Sequence, residues 1–256
     1  MCYATNARPP LPPISGGAVS VRTKEHVLTA ADGNRFAAFT AWAESTGGPG
    51  IVVLPDVRGL HAFYQDLAVR FAEAGVHATA LDYFGRTAGV GTRDDDFEYM
   101  PHVKQIRPET LAADVASAVA YGRSPDGGAA TAVFTVGFCF GGRGSFNQSA
   151  RGHGLSGVIG FYGPVAQRDT GDATAPVLMA KSYECPVLGL FGGADRSITA
   201  EDVEAFRRAL DSAGVANDLV TYEGAPHSFF DRTFAQYEEE CADAWRRILG
   251  FIRSNA

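Results

Sequence analysis

Thr131-Ala132-Val133-Phe134-Thr135-Val136-Gly137-Phe138-Cys139-Phe140-Gly141-Gly142 holds the reading of the fold. Thr131–Val136 is apolar and β-rich, and it stops at Gly137, so it reads as a buried strand. Gly142–Ala150 reads as a helix. Between them lies Gly-x-Cys-x-Gly-Gly, the pattern of an elbow that holds a nucleophile on a strained strand-to-helix turn. Glycines flank the cysteine because side chains there would collide in so tight a turn. The cysteine then sits at a helix N-terminus, where negative charge, and so a thiolate, is favoured. A cysteine that only fills core space needs no such glycines.

Outward from the elbow, strands and helices alternate. Val19–Leu28 and Phe36–Trp42 read as an antiparallel hairpin turning at Asp32-Gly33-Asn34. Ile51–Leu54, Val76–Leu81, Gly157–Phe161, Pro186–Phe191 and Asn217–Tyr222 read as further strands. Tyr64–Ala74, Glu109–Tyr121, Glu201–Ala213 and Tyr237–Ile252 read as helices, with Pro108 at a helix start where its missing N–H costs nothing. This alternation predicts an α/β fold, a mostly parallel central sheet with helices on both faces. Ligands on such sheets gather at the carboxyl ends of the strands. Residues 1–18, rich in proline and glycine, read as an extended arm, and residues 19–256 as one domain.

The net charge is −7, which argues against a nucleic-acid partner and against docking on anionic lipid. Cys2, Cys139, Cys185 and Cys241 lie far apart without metal-ligand spacing, so neither a zinc site nor a disulfide framework is expected. Cys185 and Cys241 read as core packing. No signal-peptide core and no apolar run of membrane-spanning length appears. The expected setting is the reducing cytoplasm, with no metal and no cofactor.

Two more reactive residues follow strands. Phe191-Gly192-Gly193-Ala194-Asp195 carries an acid, and Glu223-Gly224-Ala225-Pro226-His227-Ser228-Phe229 carries a base. The chain order is nucleophile, acid, base, as in α/β-hydrolases. With these motifs in this order, from about Val19 to the last helix, the chain resembles the dienelactone hydrolase family of the α/β-hydrolase fold. The resemblance implies a Cys-His-Asp triad at Cys139, His227 and Asp195, acting on small carboxylic esters or lactones through an acyl-thioester. The implied oxyanion donors are the backbone N–H groups of Phe140 and of Val57, in the loop after Ile51–Leu54. Alternatives are transfer of the acyl group to another acceptor, and a non-catalytic member that binds small acids or a protein.

The family pairs a glutamate with its thiol; this chain has Asp56, one methylene shorter. A second role for Asp56 is a turn aspartate bonded to its own backbone. The family holds a substrate carboxylate with arginines. Arg86 matches one; at the other position stands Asp231, followed by Arg232. His61 reads as a solvated loop histidine beside the oxyanion site. Arg93-Asp94-Asp95-Asp96 reads as a solvated run within an irregular stretch, residues 83–107, that could cover the site.

Overall fold

A computed structural model describes residues 8–13, 21–231 and 233–256. Eight strands form one sheet: β1 (Arg22–Thr29), β2 (Arg35–Trp42), β3 (Pro49–Leu54), β4 (His77–Leu81), β5 (Ala132–Phe138), β6 (Gly157–Phe161), β7 (Val187–Gly192) and β8 (Asn217–Tyr222). Their order is β1-β2-β4-β3-β5-β6-β7-β8. β1 and β2 pair antiparallel, as the Asp32-Gly33-Asn34 turn predicts, and β2 is antiparallel to β4. Every pair from β4 through β8 is parallel.

The helices are α1 (Ala62–Glu73), α2 (Gly85–Ala88), α3 (Tyr99–Val103), α4 (Pro108–Arg123), α5 (Phe140–Gln148), α6 (Pro176–Met179), α7 (Ala200–Ser212) and α8 (Glu238–Asn255). β3 shows why its run is apolar throughout. Ile51 and Val53 pack with the α1 side chains Phe63, Leu67 and Phe71, whereas Val52 and Leu54 pack with Leu111 and Val115 of α4. Alternate residues thus face two helical layers, and both must be apolar. α8 joins α1 on its face, with the Trp245 ring 4.9 Å from that of Phe71. α5 meets α7 through Phe146 and Phe206, 5.3 Å apart.

Part of the expected N-terminal arm lies among the described residues. Residues 8–13 have no regular structure, and the Trp245 indole N–H donates to the Pro10 carbonyl at 3.0 Å. Residues 1–7 and 14–20, with Cys2, fall outside them. The stretch 83–107 departs from the expected solvated run. Arg93 bridges to Asp82 at 2.8 Å with both side chains almost wholly enclosed, and Phe97 stacks on His102, 5.1 Å between centroids. Asp94, Asp95 and Asp96 are exposed as expected.

Candidate active site

The site is built where β5 turns into α5. Cys139 has φ 54° and ψ −113°, a conformation that costs an L-residue free energy and persists only when its surroundings enforce it. The enforcement comes from two glycines. A Cβ at Gly137 would lie 1.9 Å from the Gly141 carbonyl oxygen, and one at Gly141 would lie 2.1 Å from that of Pro55. Backbone therefore occupies the space that side chains would need, as the motif predicts. Two more non-glycine residues with positive φ flank the thiol's surroundings: Tyr162 (φ 36°) at the end of β6 and Ser228 (φ 62°) beside His227. The Tyr162 ring lies 4.9 Å from the His227 imidazole.

Asp195 follows β7 and His227 follows β8, so parallel strands bring both beside the elbow. His227 Nδ1 is 2.6 Å from Asp195 Oδ2. Asp195 Oδ1 accepts from the Ser197 hydroxyl at 2.7 Å and from the Ser197 N–H at 2.8 Å. Sequence reading missed Ser197, although its place two residues after an aspartate is the signal of an Asx turn. Burial alone would lower the His227 pKa. Hydrogen bonds to Asp195 and to the Cys139 sulfur outweigh it and raise the value to about 10. Burial likewise opposes charge on Asp195, and the bonds from His227 and Ser197 hold its carboxyl below the usual range. Cys139, His227 and Asp195 thus form one hydrogen-bonded set.

A cavity of about 570 Å³ opens at the thiol, lined by Cys139, Val57 and Phe140 and extending between α4 and α5 past Ile106, Leu111 and Gly144. The Phe140 N–H belongs to the first turn of α5, where no intrahelical carbonyl can accept it. Val57 borders the same space.

The remaining expected site residues are placed differently. Asp56 is buried, and its carboxylate accepts from the Arg58 N–H at 2.9 Å and lies 3.4 Å from the Arg58 guanidinium. Burial opposes its charge, but His61 and the Arg58 cation hold its pKa down. The aspartate is thus engaged in its own turn. His61 is not solvated: it is buried, its Nε2 lies 2.9 Å from an Arg58 nitrogen, and burial lowers its pKa. Arg86 meets Asp32 at 2.7 Å and Asp114 at 2.8 Å, and it does not border the cavity at Cys139. The structure therefore does not bring Arg86 to the thiol. Asp231 is buried and accepts from the Tyr162 hydroxyl at 2.9 Å. Arg232 lies outside the described residues. Cys185 and Cys241 are buried, as expected of core residues. Among the described residues no cluster of metal-ligating side chains occurs, and no helix is long and apolar enough to cross a membrane.

Known proteins share this frame. A Salmonella typhimurium protein named "Putative carboxymethylenebutenolidase" is 30% identical over 226 residues, covering 85% of this chain and 82% of its own. A Bradyrhizobium protein named "Probable 2-oxo-3-(5-oxofuran-2-ylidene)propanoate lactonase" is 26% identical over 213 residues, 80% of this chain and 83% of its own. The crystal structure of a Klebsiella pneumoniae "Putative Dienelactone Hydrolase" matches with a TM-score of 0.79 at 25% identity, covering 92% of this chain and 99% of that one. The profile of the dienelactone hydrolase family matches residues 36–255, from β2 to the end of α8, and the chain belongs to that family.

Proposed function

We propose that the protein hydrolyses carboxylic esters or lactones, with Cys139 as nucleophile, His227 as proton carrier and Asp195 as the group that orients it. The observation carrying this reading is the hydrogen-bonded set of Cys139, His227 and Asp195 at the end of a cavity, with His227 raised to about 10. The names of the Salmonella and Bradyrhizobium relatives point to the same class of bond.

In this mechanism Cys139 Sγ attacks the carbonyl carbon while His227 carries the proton of the Cys139–His227 pair. The oxyanion forms against the Val57 and Phe140 N–H groups, which need no reorganisation to receive it. His227 then gives its proton to the leaving oxygen, the C–O bond breaks, and an acyl-thioester remains on Cys139. A water molecule attacks the thioester and loses a proton to His227. The carbon–sulfur bond breaks, restoring the Cys139–His227 pair with its proton. Asp195 fixes the tautomer with Nδ1 toward itself and stabilises the cation.

The thioester is the intermediate to test. Mixing the protein with p-nitrophenyl acetate and quenching within milliseconds should give an adduct of one acetyl mass on the peptide containing Cys139. Release of p-nitrophenol with acetyl found on another residue, or on none, overturns the assignment.

Asp195→Asn is expected to lower kcat about 100-fold, because the imidazole loses its orienting acceptor and its cation loses a counter-charge. The same substitution has a signature in stability. A histidine whose folded pKa is raised stabilises the fold fully below its unfolded value near 6.5, and that stabilisation is lost as pH rises through about 10. Urea unfolding of the wild type should therefore weaken between pH 7 and 10 more steeply than that of Asp195→Asn. Equal slopes would show that Asp195 does not hold the His227 proton.

A further inference from the structure

The cavity runs much further than the triad requires. One face of α5 lines it: Phe140, Arg143, Gly144, Asn147, Gln148 and, one turn beyond the helix, Arg151. Their spacing of three and four puts them in a single stripe leading away from Cys139. Gly144 stands in the middle, where an added Cβ would crowd Leu54 and Leu111 at 3.3 and 3.4 Å, so the missing side chain lets β3 and α4 approach the helix closely at that point. Across from it, Ile106, Pro108 and Leu111 supply an apolar wall.

The polar side chains of the stripe are already engaged, with one exception. Arg143 is bonded to Asp172 at 2.6 Å and to Thr174 at 2.9 Å. Asn147 donates to the Thr174 carbonyl at 2.8 Å and accepts from the Tyr183 hydroxyl at 3.0 Å. Gln148 donates to the Gly144 carbonyl at 3.0 Å and meets His153 at 3.0 Å. Arg151, by contrast, has no ion pair or side-chain hydrogen bond among the described residues, and its Nε is shut away from solvent without a partner. Its neighbourhood is cationic. Burial lowers the His153 pKa, and the nearby Arg151 and Arg123 charges lower it further. A guanidinium with free donors on the wall of an apolar trough is suited to a carboxylate, which can take two parallel N–H bonds.

We propose that Arg151 is the distal anchor of the substrate pocket, and that preferred substrates are acyl esters whose acyl chain ends in a carboxylate separated from the scissile carbonyl by an apolar spacer. This rests on the reading of Cys139 as nucleophile. The acyl part is what Cys139 holds covalently, and the trough starts at Cys139. From Cys139 to Arg151 the helical path is roughly 18 Å, and side chains lean back toward the N-terminus, which leaves roughly 10 Å for the chain. That length fits the hemiester of a medium-chain diacid such as suberate better than that of succinate.

The test compares p-nitrophenyl hemisuberate with its neutral methyl ester, and p-nitrophenyl hemisuccinate with its own. The hemisuberate should show roughly 10- to 100-fold higher kcat/KM than its methyl ester, mostly through KM, and the succinate pair a smaller ratio. In Arg151→Met the suberate ratio should fall to about one, and in Arg151→Lys it should be partly restored. Equal kcat/KM for the suberate pair in the wild type, or a ratio that survives Arg151→Met, overturns the anchor. Failure of the nucleophile reading looks different: wild-type protein would then leave p-nitrophenyl acetate intact, or cleave it without acetyl appearing on Cys139. The anchor can still be judged in that case. Monomethyl suberate should raise the melting temperature of Cys139→Ala and leave that of Cys139→Ala/Arg151→Met unchanged; equal shifts in both would overturn it.

Discussion

Cys139→Ala is expected to lose ester turnover by about 10⁴-fold or more while keeping its fold. The nucleophile disappears, and among the described residues no other cysteine can take its place, since Cys185 and Cys241 are buried in the core. The substitution removes one sulfur from a half-buried position and keeps the Cβ, so the backbone at φ 54° is as strained as before. Cys139→Gly removes the same nucleophile and also relieves that strain. It should therefore be more stable than Cys139→Ala by about 1 kcal/mol. Initial rates on p-nitrophenyl acetate and urea titrations of the three proteins check both statements. Near-wild-type turnover by Cys139→Ala would remove the nucleophile from the mechanism, and equal stability of the two variants would mean that the elbow is not strained.

Arg93→Met is expected to destabilise the protein by about 3–5 kcal/mol, the usual loss when one partner of a buried ion pair is removed. Asp82 is fully enclosed, and Arg93 meets both of its oxygens, at 3.2 and 2.8 Å. The Leu60 and Phe84 N–H groups also donate to this carboxylate, but neither carries charge. Arg93 additionally donates to the Gly89 carbonyl at 2.7 Å and lies 4.7 Å from the Phe97 ring centroid, so its loss loosens most of the segment before α3. Thermal or urea unfolding measures the effect. A loss below about 1 kcal/mol would mean that the segment is held by its aromatic stack instead.

That pair also marks the limit of what the sequence discloses. The strands were legible because β3 and β5 are buried on both faces and so carry unbroken apolar runs. The elbow was legible because local backbone crowding demands Gly137 and Gly141, whatever the rest of the chain does. Asp195 and His227 were legible because each follows a strand, and parallel topology collects strand ends. Arginine partners follow no such local rule. Arg86 finds Asp32 and Asp114, which lie 54 and 28 residues away, and Arg93 finds Asp82 through a fold in the chain. A run of like charges after Arg93 suggests water, and the packing of one enclosed carboxylate decides otherwise. Arg151 could have been counted along the helix from Cys139, but which face of that helix looks into a cavity depends on α4. The expected solvated His61 fails for a related reason: Arg58 draws its ring inward.

The two outermost strands have a bearing on how copies of this protein treat one another. Among the described residues, a sheet of eight strands that does not close ends in two rows of backbone groups without a strand partner, each able to template a further strand from another chain. β1 answers with charge, presenting Arg22, Lys24 and Glu25 on exposed positions. β8 answers with Asp218, tied at 3.1 Å to Arg247 of α8. A second chain aligning on either edge would have to strip water from those charges or set them against its own. Edge pairing between copies therefore carries a cost in stripped or opposed charge at both ends of the sheet.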